Sequence, residues 1–195
     1  IRTQLRSNTG DVKMDRLEVI QVVHRYHRYI GGVETHVKEI SERLTNRGIN
    51  VKVYTTDPYH SLPADEIING VHVRRFRSWA PADNYHIPFP EMWTALKRTS
   101  APLLHVHCIH DFPALFATYF AAKGQSVVLT PHYCGVGESS VNNLLWRFYT
   151  PVAKKIFPRA DKIICLSNHE RKMVQRDLSV DPDKITVIPN GINLH

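Results

Sequence analysis

Short apolar runs alternate with segments of helical periodicity along most of the chain. The run LEVIQVV at 17–23 is apolar and rich in β-branched residues, which is typical of a buried strand. Apolar residues then recur at helical spacing from Val33 to Leu44, and Gly48 stands where a helix C-cap is expected. The run INVKVYTT follows as a second strand. Strand, helix and strand in this order predict a parallel βαβ unit.

The same alternation continues to the end of the chain. It predicts strands at 70–77, 102–107, 126–130, 161–167 and 184–189, and helices at 90–98, at 112–123, from Ser139 with an interruption or restart at Pro151, and after Ser167. The predicted fold class is α/β, as a Rossmann-like, doubly wound and mostly parallel sheet with helices on both faces. Residues 1–16 are polar and patternless, so we expect the domain to span 17–188 after a loose N-terminal arm.

Charged residues predict local contacts in two of these helices. Glu34 with Lys38, and Glu39 with Arg43, are spaced i,i+4 and are expected to pair on the outer face of the first helix. The tetrapeptide SNHE at 167–170 has the spacing of a capping box, in which the first and last side chains each accept a backbone N–H of the other residue.

Composition narrows the classes of protein. The three cysteines at 108, 134 and 165 are odd in number and lack CxxC spacing, which indicates neither a disulfide framework nor a zinc ribbon and favours a reducing compartment. No run approaches the roughly 18 apolar residues of a membrane span, and the first residues lack the apolar core of a signal peptide. We therefore expect a soluble, cytoplasmic protein.

The charge favours an anionic partner. The formal net charge is +7, and twelve histidines add to it when protonated. Nucleic acid, a phosphorylated small molecule and an anionic membrane surface all fit this charge, but the scattered Lys and Arg argue against nucleic acid. Residues 73–93 and 144–159 mix basic and aromatic side chains, as segments that lie on an anionic bilayer do. We favour the alternative that Trp146, Phe148 and Phe157 pack in the core and that Lys154 and Lys155 are solvated.

Two adjacent glycines precede the first helix. Helix N-termini present unpaired backbone N–H groups, and Gly31 and Gly32 would let a phosphate approach them, so the pair predicts a seat for a diphosphate. A tight turn between strand and helix is the alternative interpretation. The run G-G-V-E-T-H is neither a G-x-G-x-x-G fingerprint nor a phosphate-binding P-loop, which disfavours ordinary NAD binding and P-loop chemistry.

The segment GGVETHVKEISERLTNRGINVKVYTT, followed in order by LLHVH, VVLTPH, ADKIICLSNHE and ITVIPNGIN, resembles the retaining GT-B glycosyltransferases of family 4 over residues 17–193. The resemblance implies that this chain is the N-terminal, acceptor-side half of a GT-B fold, inactive alone. Residues 189–195 would begin a linker to a C-terminal domain that holds most contacts to a UDP- or GDP-sugar donor. It further implies that no metal ion and no cofactor are needed, and that the departing phosphate accepts the acceptor's proton.

The resemblance also implies roles for individual residues. The backbone N–H groups of Gly31, Gly32 and Val33 would face the donor diphosphate. His132 in TPHYCG matches the histidine that the family places beside the transferring sugar, and His107 is a second catalytic candidate because it ends its strand at the carboxyl edge. A metal site within HVHCIHD at 105–111 is the alternative interpretation of that segment, which the resemblance accounts for without metal.

The acceptor is expected to contact two loops of this half. Aromatic faces suit sugar rings and Arg suits phosphates, so the basic and aromatic loop after the first strand supplies most candidates. The candidates are His24, Arg25, Tyr26, His27, Arg28, His110 and Asp111. A solvated surface loop at 24–28 and a helix N-cap at Asp111 are the plainer alternatives.

Two other functions remain open at this point. A non-catalytic module that binds a sugar phosphate or nucleotide, or one subunit of a split glycosyltransferase, would need the same residues. The second is an enzyme with the same sheet topology, such as an epimerase, and tight binding of a UDP-sugar to this domain alone would favour it. Expected partners are the nucleotide-sugar donor, an acceptor sugar, glycolipid or small molecule, and, peripherally, an anionic membrane.

Overall fold

The computed structural model describes residues 17–81, 85–135 and 149–191. The strands within these ranges are β1 Glu18–Val22, β2 Asn50–Thr56, β3 Asp65–Ile68, β4 Val71–Phe76, β5 Ser78–Trp79, β6 Ile87–Pro88, β7 Leu103–His107, β8 Ser126–Thr130, β9 Lys162–Cys165 and β10 Ile185–Val187. The helices are α1 Gly32–Asn46, α2 Pro90–Arg98, α3 Phe112–Phe120, α4 at 149–156 and α5 Asn168–Leu178. Short 3-10 turns cover Phe157–Arg159 and Pro182–Lys184.

Eight strands form one sheet in the order β10-β9-β8-β7-β1-β2-β4-β3. Every neighbouring pair in it is parallel except β3 and β4. The chain builds outward from β1 through β2 to β4 and then returns to β7 on the other side of β1. In a doubly wound sheet, ligands bind beyond the carboxyl ends of the strands at this reversal of strand order. The predicted fold class is confirmed, and the topology points to the carboxyl ends of β1 and β7.

Two hydrophobic clusters lie on opposite faces of the sheet. Val22 belongs to a cluster that also contains side chains of α2, α3 and α5, whereas the next residue, Val23, packs with Val37 of α1. Successive strand residues point to opposite faces, so helices cover both faces of the sheet. The second cluster fixes α1 against β2 and β4 and against Val23, which directly follows β1, and thereby places α1 beside the carboxyl end of β1.

The structure corrects the predicted contacts of α1. Glu39 pairs with Arg43 at 3.2 Å, as predicted, but Lys38 pairs with Glu42 at 3.0 Å. Glu34 is buried and its carboxylate lies toward His24 instead of Lys38. The i,i+4 rule places two side chains on one helix face, but it does not say whether that face is exposed. Here the first turn of α1 faces the strand ends.

The capping box is only half formed. The Ser167 hydroxyl accepts the backbone N–H of Glu170 at 3.0 Å, as predicted. The Glu170 carboxylate does not return to Ser167, because it accepts the backbone N–H groups of Tyr133 at 2.7 Å and Leu166 at 2.6 Å. A side chain predicted to cap its own helix therefore joins α5 to the segment that follows β8.

Some predictions concern residues outside the described ranges. The N-terminal arm at 1–16, the helix start at Ser139, Trp146, Phe148 and the end of the linker at 192–195 lie there, while α4 continues through Pro151. In the second basic and aromatic stretch, Phe157 is fully buried and Lys154 and Lys155 are exposed, which agrees with the core-packing interpretation, whereas Trp79 and Phe89 of the first stretch are exposed. No helix in the described part of the chain is long and apolar enough to cross a membrane.

Candidate functional site: two histidine clusters at the carboxyl edge of the sheet

Histidines gather where β1, β7 and β8 end. His24 follows β1, His107 ends β7, and His132 follows β8 by two residues. The backbone is in the left-handed region at His132, with φ of 50°, and at Cys108 directly after β7, with φ of 65°. Non-glycine residues adopt this conformation at a cost of about 1–3 kcal/mol, and such residues concentrate at functional sites.

We define the imidazole cluster as His36, His107 and His132. One ring nitrogen of each lies within 4.8 Å of a ring nitrogen of each of the others. His132 Nε2 lies 3.4 Å from His107 Nδ1, and the His36 ring meets the His132 ring edge-on with centroids 4.9 Å apart. On their outer sides, His107 Nε2 donates to Gln21 Oε1 at 2.7 Å and His36 Nδ1 donates to Asn190 Oδ1 at 2.8 Å.

Burial keeps the imidazole cluster neutral. Desolvation lowers the pKa of His132 to about 3, places the pKa of His107 well below its usual range, and lowers the pKa of His36 despite its bond to Asn190. Burial also lowers the pKa of neighbouring His105, to about 3, and its Nε2 lies 2.8 Å from Thr130 Oγ1. Neutral imidazoles offer both a donor and a lone pair, so this cluster can orient hydroxyl groups or ligate a metal.

We define the carboxylate cluster as His24, Glu34, Cys108 and Asp111. His24 Nδ1 lies 3.2 Å from Asp111 Oδ2, and its Nε2 lies 3.7 Å from Glu34 Oε1. The Cys108 thiol donates to Asp111 Oδ2 at 3.3 Å. Asp111 stands at the N-cap position of α3, as predicted, but its side chain makes no capping hydrogen bond.

Burial sets the protonation of the carboxylate cluster too. Desolvation lowers the pKa of His24 to about 4, although Glu34 acts in the opposite direction. It raises the pKa of Asp111, which neighbouring His86 partly offsets, and raises that of the Cys108 thiol well above its usual range. Cys108 is therefore a buried hydrogen-bond donor and not a reactive thiolate.

The N-terminus of α1 opens onto the same edge. Gly31 is the N-cap and Gly32 begins the helix, and no side chain caps it. A Cβ at Gly31 would overlap the Glu34 carboxylate, whereas a Cβ at Gly32 would meet no heavy atom within 4 Å. The predicted seat for an anion is thus filled by Glu34 beside Gly31 and open beside Gly32.

A cleft of about 830 Å³ extends from this helix end. Its lining includes Gly32, His36, His105, Thr130 and Asn190, together with apolar side chains of α1, β9 and the segment after β10. His105 therefore reaches the cleft, although only His107 was expected to do so, while His107 is fully buried beneath it. A separate depression of about 600 Å³, lined by Glu18, Lys52 and Arg74, includes the amino end of β1 and none of the predicted site residues.

The acceptor candidates do not form one surface. Tyr26 is 1% exposed and packs in the core of the α1 face, so its predicted contact with an acceptor is corrected to a structural role. Arg28 lies 3.2 Å from Glu66 of β3, and Arg25 stacks on Tyr29 at 5.0 Å.

The remaining acceptor candidates also lie in different parts of the structure. The His27 carbonyl accepts from Arg75 at 3.0 Å, which fixes the backbone of that loop against β4. His110 stacks on Tyr133, with ring centroids 5.6 Å apart. The structure therefore brings His24, His110 and Asp111 to the strand ends and directs Arg28 toward the β3 edge.

Sequence reasoning missed several residues of the site. Gln21 lies within an apolar strand and His36 within an amphipathic helix, so neither is among the predicted site residues, and Asn190 is predicted to lie near the carboxyl ends of the strands, at the start of a linker, but without a partner. Only Gln21 gave a local signal, since it is a polar residue inside the apolar run LEVIQVV. Its hydrogen bond to His107 joins residues 86 positions apart, and that of His36 to Asn190 joins residues 154 apart, so sequence patterns could not reveal them.

Comparison with known proteins identifies the family. The chain is 25% identical over 186 residues to the GPI3 subunit of phosphatidylinositol N-acetylglucosaminyltransferase from Saccharomyces cerevisiae, which covers 86% of this chain and 37% of that protein. It is also 25% identical over 186 residues to GDP-mannose:cellobiosyl-diphosphopolyprenol alpha-mannosyltransferase from Xanthomonas campestris, covering 91% of this chain and 47% of that protein. The chain thus spans less than half the length of these relatives.

The fold is that of GT-B glycosyltransferases. Sucrose-phosphate synthase from Thermosynechococcus elongatus superimposes with a TM-score of 0.63 at 18% identity, over 92% of this chain and 49% of that protein. The family model described as Glycosyltransferase Family 4 matches residues 30–195, which include α1, the imidazole cluster, the carboxylate cluster except His24, and the segment around Asn190. This chain therefore belongs to Glycosyltransferase Family 4.

Proposed function

We propose that this chain is the N-terminal, acceptor-side domain of a retaining glycosyltransferase, which moves a sugar from a UDP- or GDP-sugar to an acceptor hydroxyl. The observation that carries the proposal is the shared edge: the open N-terminus of α1 and the neutral imidazole cluster both lie at the carboxyl ends of β1, β7 and β8. A diphosphate at Gly32 and Val33 would place the attached sugar within reach of His132.

The chain's own groups would act mainly by positioning and electrostatics. In transfer, the bond between the anomeric carbon and the donor phosphate oxygen breaks, and a bond from the acceptor oxygen to that carbon forms on the same face. The free N–H groups and the dipole of α1 stabilise the negative charge that develops on the departing diphosphate. That diphosphate takes the acceptor proton, so no protein base and no metal ion or cofactor is required for the chemical step.

His132 would orient a hydroxyl of the donor sugar or of the acceptor. Because burial lowers its pKa to about 3, it stays neutral at pH 7 and can both donate and accept. His107, fully buried behind it, would hold the His132 ring through the contact at 3.4 Å and is itself held by Gln21. His107 is then a positioning residue and not a catalytic one.

The rest of the activity would need a second domain. Residues 189–195 would lead to it, and the isolated chain would bind a donor weakly and not transfer its sugar. The acceptor would meet the edge formed by His24, His110 and Asp111. One relative named above is a subunit of phosphatidylinositol N-acetylglucosaminyltransferase. In this chain, the side chains of Trp79 and Phe89, which lie near Arg77, are 60% and 41% exposed. Peripheral contact with an anionic membrane on the cytoplasmic side is therefore part of the proposal.

The seat for the diphosphate is tested by enlarging Gly32 in the complete protein that carries this chain. Gly32→Ala and Gly32→Val add side chains that meet no protein atom within 4 Å at Cβ, and Ala favours a helix by about 1 kcal/mol over Gly. We expect both variants to remain folded, with turnover falling about 10-fold for Ala and more for Val as the phosphate is displaced. Full activity in Gly32→Val would exclude a diphosphate at this position.

A further inference from the structure

The imidazole cluster has the arrangement of a metal site. Zinc bound tetrahedrally by histidines, at Zn–N distances of about 2.0–2.1 Å, holds its nitrogen ligands roughly 3.3 Å from one another. The separation of His107 Nδ1 and His132 Nε2 is 3.4 Å, and a nitrogen of His36 lies within 4.8 Å of both. A small movement of the His36 side chain would bring three nitrogen ligands to the distances that a tetrahedral zinc ion requires.

The ring nitrogens of His107 and His36 that point away from the centre of the cluster already have the hydrogen-bond partners that metal-bound histidines use. Ligating histidines usually donate their second N–H to a carbonyl or carboxylate oxygen, which fixes the tautomer and orients the ring. His107 Nε2 donates to Gln21 Oε1 and His36 Nδ1 donates to Asn190 Oδ1. Those bonds leave the lone pairs of His107 Nδ1 and His36 Nε2 on the inner sides, and His36 Nε2 is buried with no hydrogen-bond partner among the described residues.

The neighbouring carboxylate cluster does not offer the same opportunity. It also contains three potential ligands, His24, Cys108 and Asp111, within 4.8 Å of one another. It contains carboxylates that already contact its other members, however, since the thiol donates to Asp111 and His24 Nδ1, although it makes no hydrogen bond within the described residues, lies 3.2 Å from the same carboxylate. In the imidazole cluster, the hydrogen-bond partners of the ring nitrogens among the described residues are another imidazole and the amides of Gln21 and Asn190, with no carboxylate or cation.

We propose that His36, His107 and His132 bind one transition-metal ion of the Zn²⁺ class, and that the bound ion inhibits glycosyl transfer by occupying His132. Nitrogen ligands of this kind suit Zn²⁺, Co²⁺ and Ni²⁺, and three of them leave a fourth position open. His36 lines the cleft, so the ion can enter from it. The inhibition rests on the proposed function, whereas the binding does not.

Binding is tested with Co²⁺, whose visible absorption reports its ligand geometry, and with Zn²⁺ by equilibrium dialysis on the chain and its variants. We expect one ion per chain, a tetrahedral Co²⁺ spectrum, and loss of both in His36→Ala and His132→Ala. Asn190→Ala should weaken binding about 10–100-fold, because it removes a group that orients a ligand. His72→Ala, which removes an imidazole with 47% exposure on β4, is the control and should bind as the unaltered chain does.

Each alternative result is distinct. Equal binding by the chain and by His132→Ala, with melting curves showing both folded, would overturn the site. In the complete protein, Zn²⁺ should inhibit turnover competitively with the donor, and EDTA should restore it. Stoichiometric binding without inhibition would overturn the regulatory part alone. Binding by a complete protein that shows no transfer under any condition would instead count against the proposed function and leave the metal site standing.

Discussion

The imidazole cluster and the carboxylate cluster both lie at the carboxyl end of β7, yet only the second contains acids. In the carboxylate cluster, His24 stands between Glu34 and Asp111, and the contacts tie the loop after β1 to the starts of α1 and α3. In the imidazole cluster, His36, His107 and His132 meet one another, and only neutral amides, Gln21 and Asn190, bond their outer sides.

The difference shows how similar burial serves two purposes. Buried carboxylates contact the histidine between them and leave little capacity for a ligand, so the carboxylate cluster has mainly a structural role. Buried neutral imidazoles keep lone pairs and N–H groups that only a further hydroxyl, phosphate or metal ion can use fully. We therefore place ligand chemistry at the imidazole cluster and loop anchoring at the carboxylate cluster.

The largest expected effect is loss of stability in acid, to which histidines of both clusters and their neighbours contribute. A histidine whose pKa is lower in the folded than in the unfolded chain contributes stability above the unfolded pKa of about 6.5, and this stability is lost as the pH falls. Folded pKa values are about 3 for His105 and His132 and about 4 for His24 and His86. At pH 5 each costs roughly 2 kcal/mol.

We therefore expect the chain to unfold between pH 7 and pH 5, as measured by urea denaturation in EDTA at several pH values. His132→Gln should make the pH dependence shallower by about one proton, while His72→Gln, on the exposed side of β4, should leave it unchanged. An unfolding free energy that stays constant from pH 7 to pH 5 would contradict the burial of neutral imidazoles.

A smaller effect should distinguish the two clusters by their hydrogen bonds. Gln21→Leu leaves the fully buried His107 without its acceptor and should lower the unfolding free energy by about 2–3 kcal/mol. Asp111→Asn keeps an oxygen acceptor for the Cys108 thiol and should cost about 1 kcal/mol. Denaturant titration at pH 7.5 measures both. A larger loss for Asp111→Asn than for Gln21→Leu would contradict the expected order of these two hydrogen bonds.

A further structural effect concerns the segment that carries His132. Glu170→Gln weakens the acceptors of two backbone N–H groups, at Tyr133 and Leu166, and should cost about 1–2 kcal/mol. The exposed pair of Glu39 and Arg43 provides the control, since Glu39→Gln should change stability by less than about 0.5 kcal/mol. Thermal melts at pH 7.5 would show both, and equal losses would argue that Glu170 does not hold this segment.

Local periodicity was enough to predict the sheet and most of its helices. The helix at Pro90–Arg98 has the predicted bounds, because proline at its start and a 3.6-residue apolar pattern are local signals. β3 was missed since it is a short strand at the edge of the sheet, whose pairing with β4 depends on the turn at Asn69 and Gly70. The parallel order followed from the repeated βαβ units.

The candidate site was predictable only in part. His107, His132 and Gly32 could be located from where strands end and helices begin. The partners that decide their chemistry are far away in sequence, as Asn190 is from His36, and Glu34 was placed on the wrong face of α1. Side-chain partners across a parallel sheet depend on the crossovers, which the sequence of one element does not specify.

The most direct test of the account is the turnover of the complete protein with His132→Ala, compared with His110→Ala as a matched loss of a histidine from the same edge. We predict that His132→Ala lowers kcat about 100-fold with little change in nucleotide affinity, since it removes a polar contact made at the reacting sugar. His110→Ala should change kcat only a few fold. Unchanged turnover in His132→Ala would remove the imidazole cluster from the reaction centre and contradict the account.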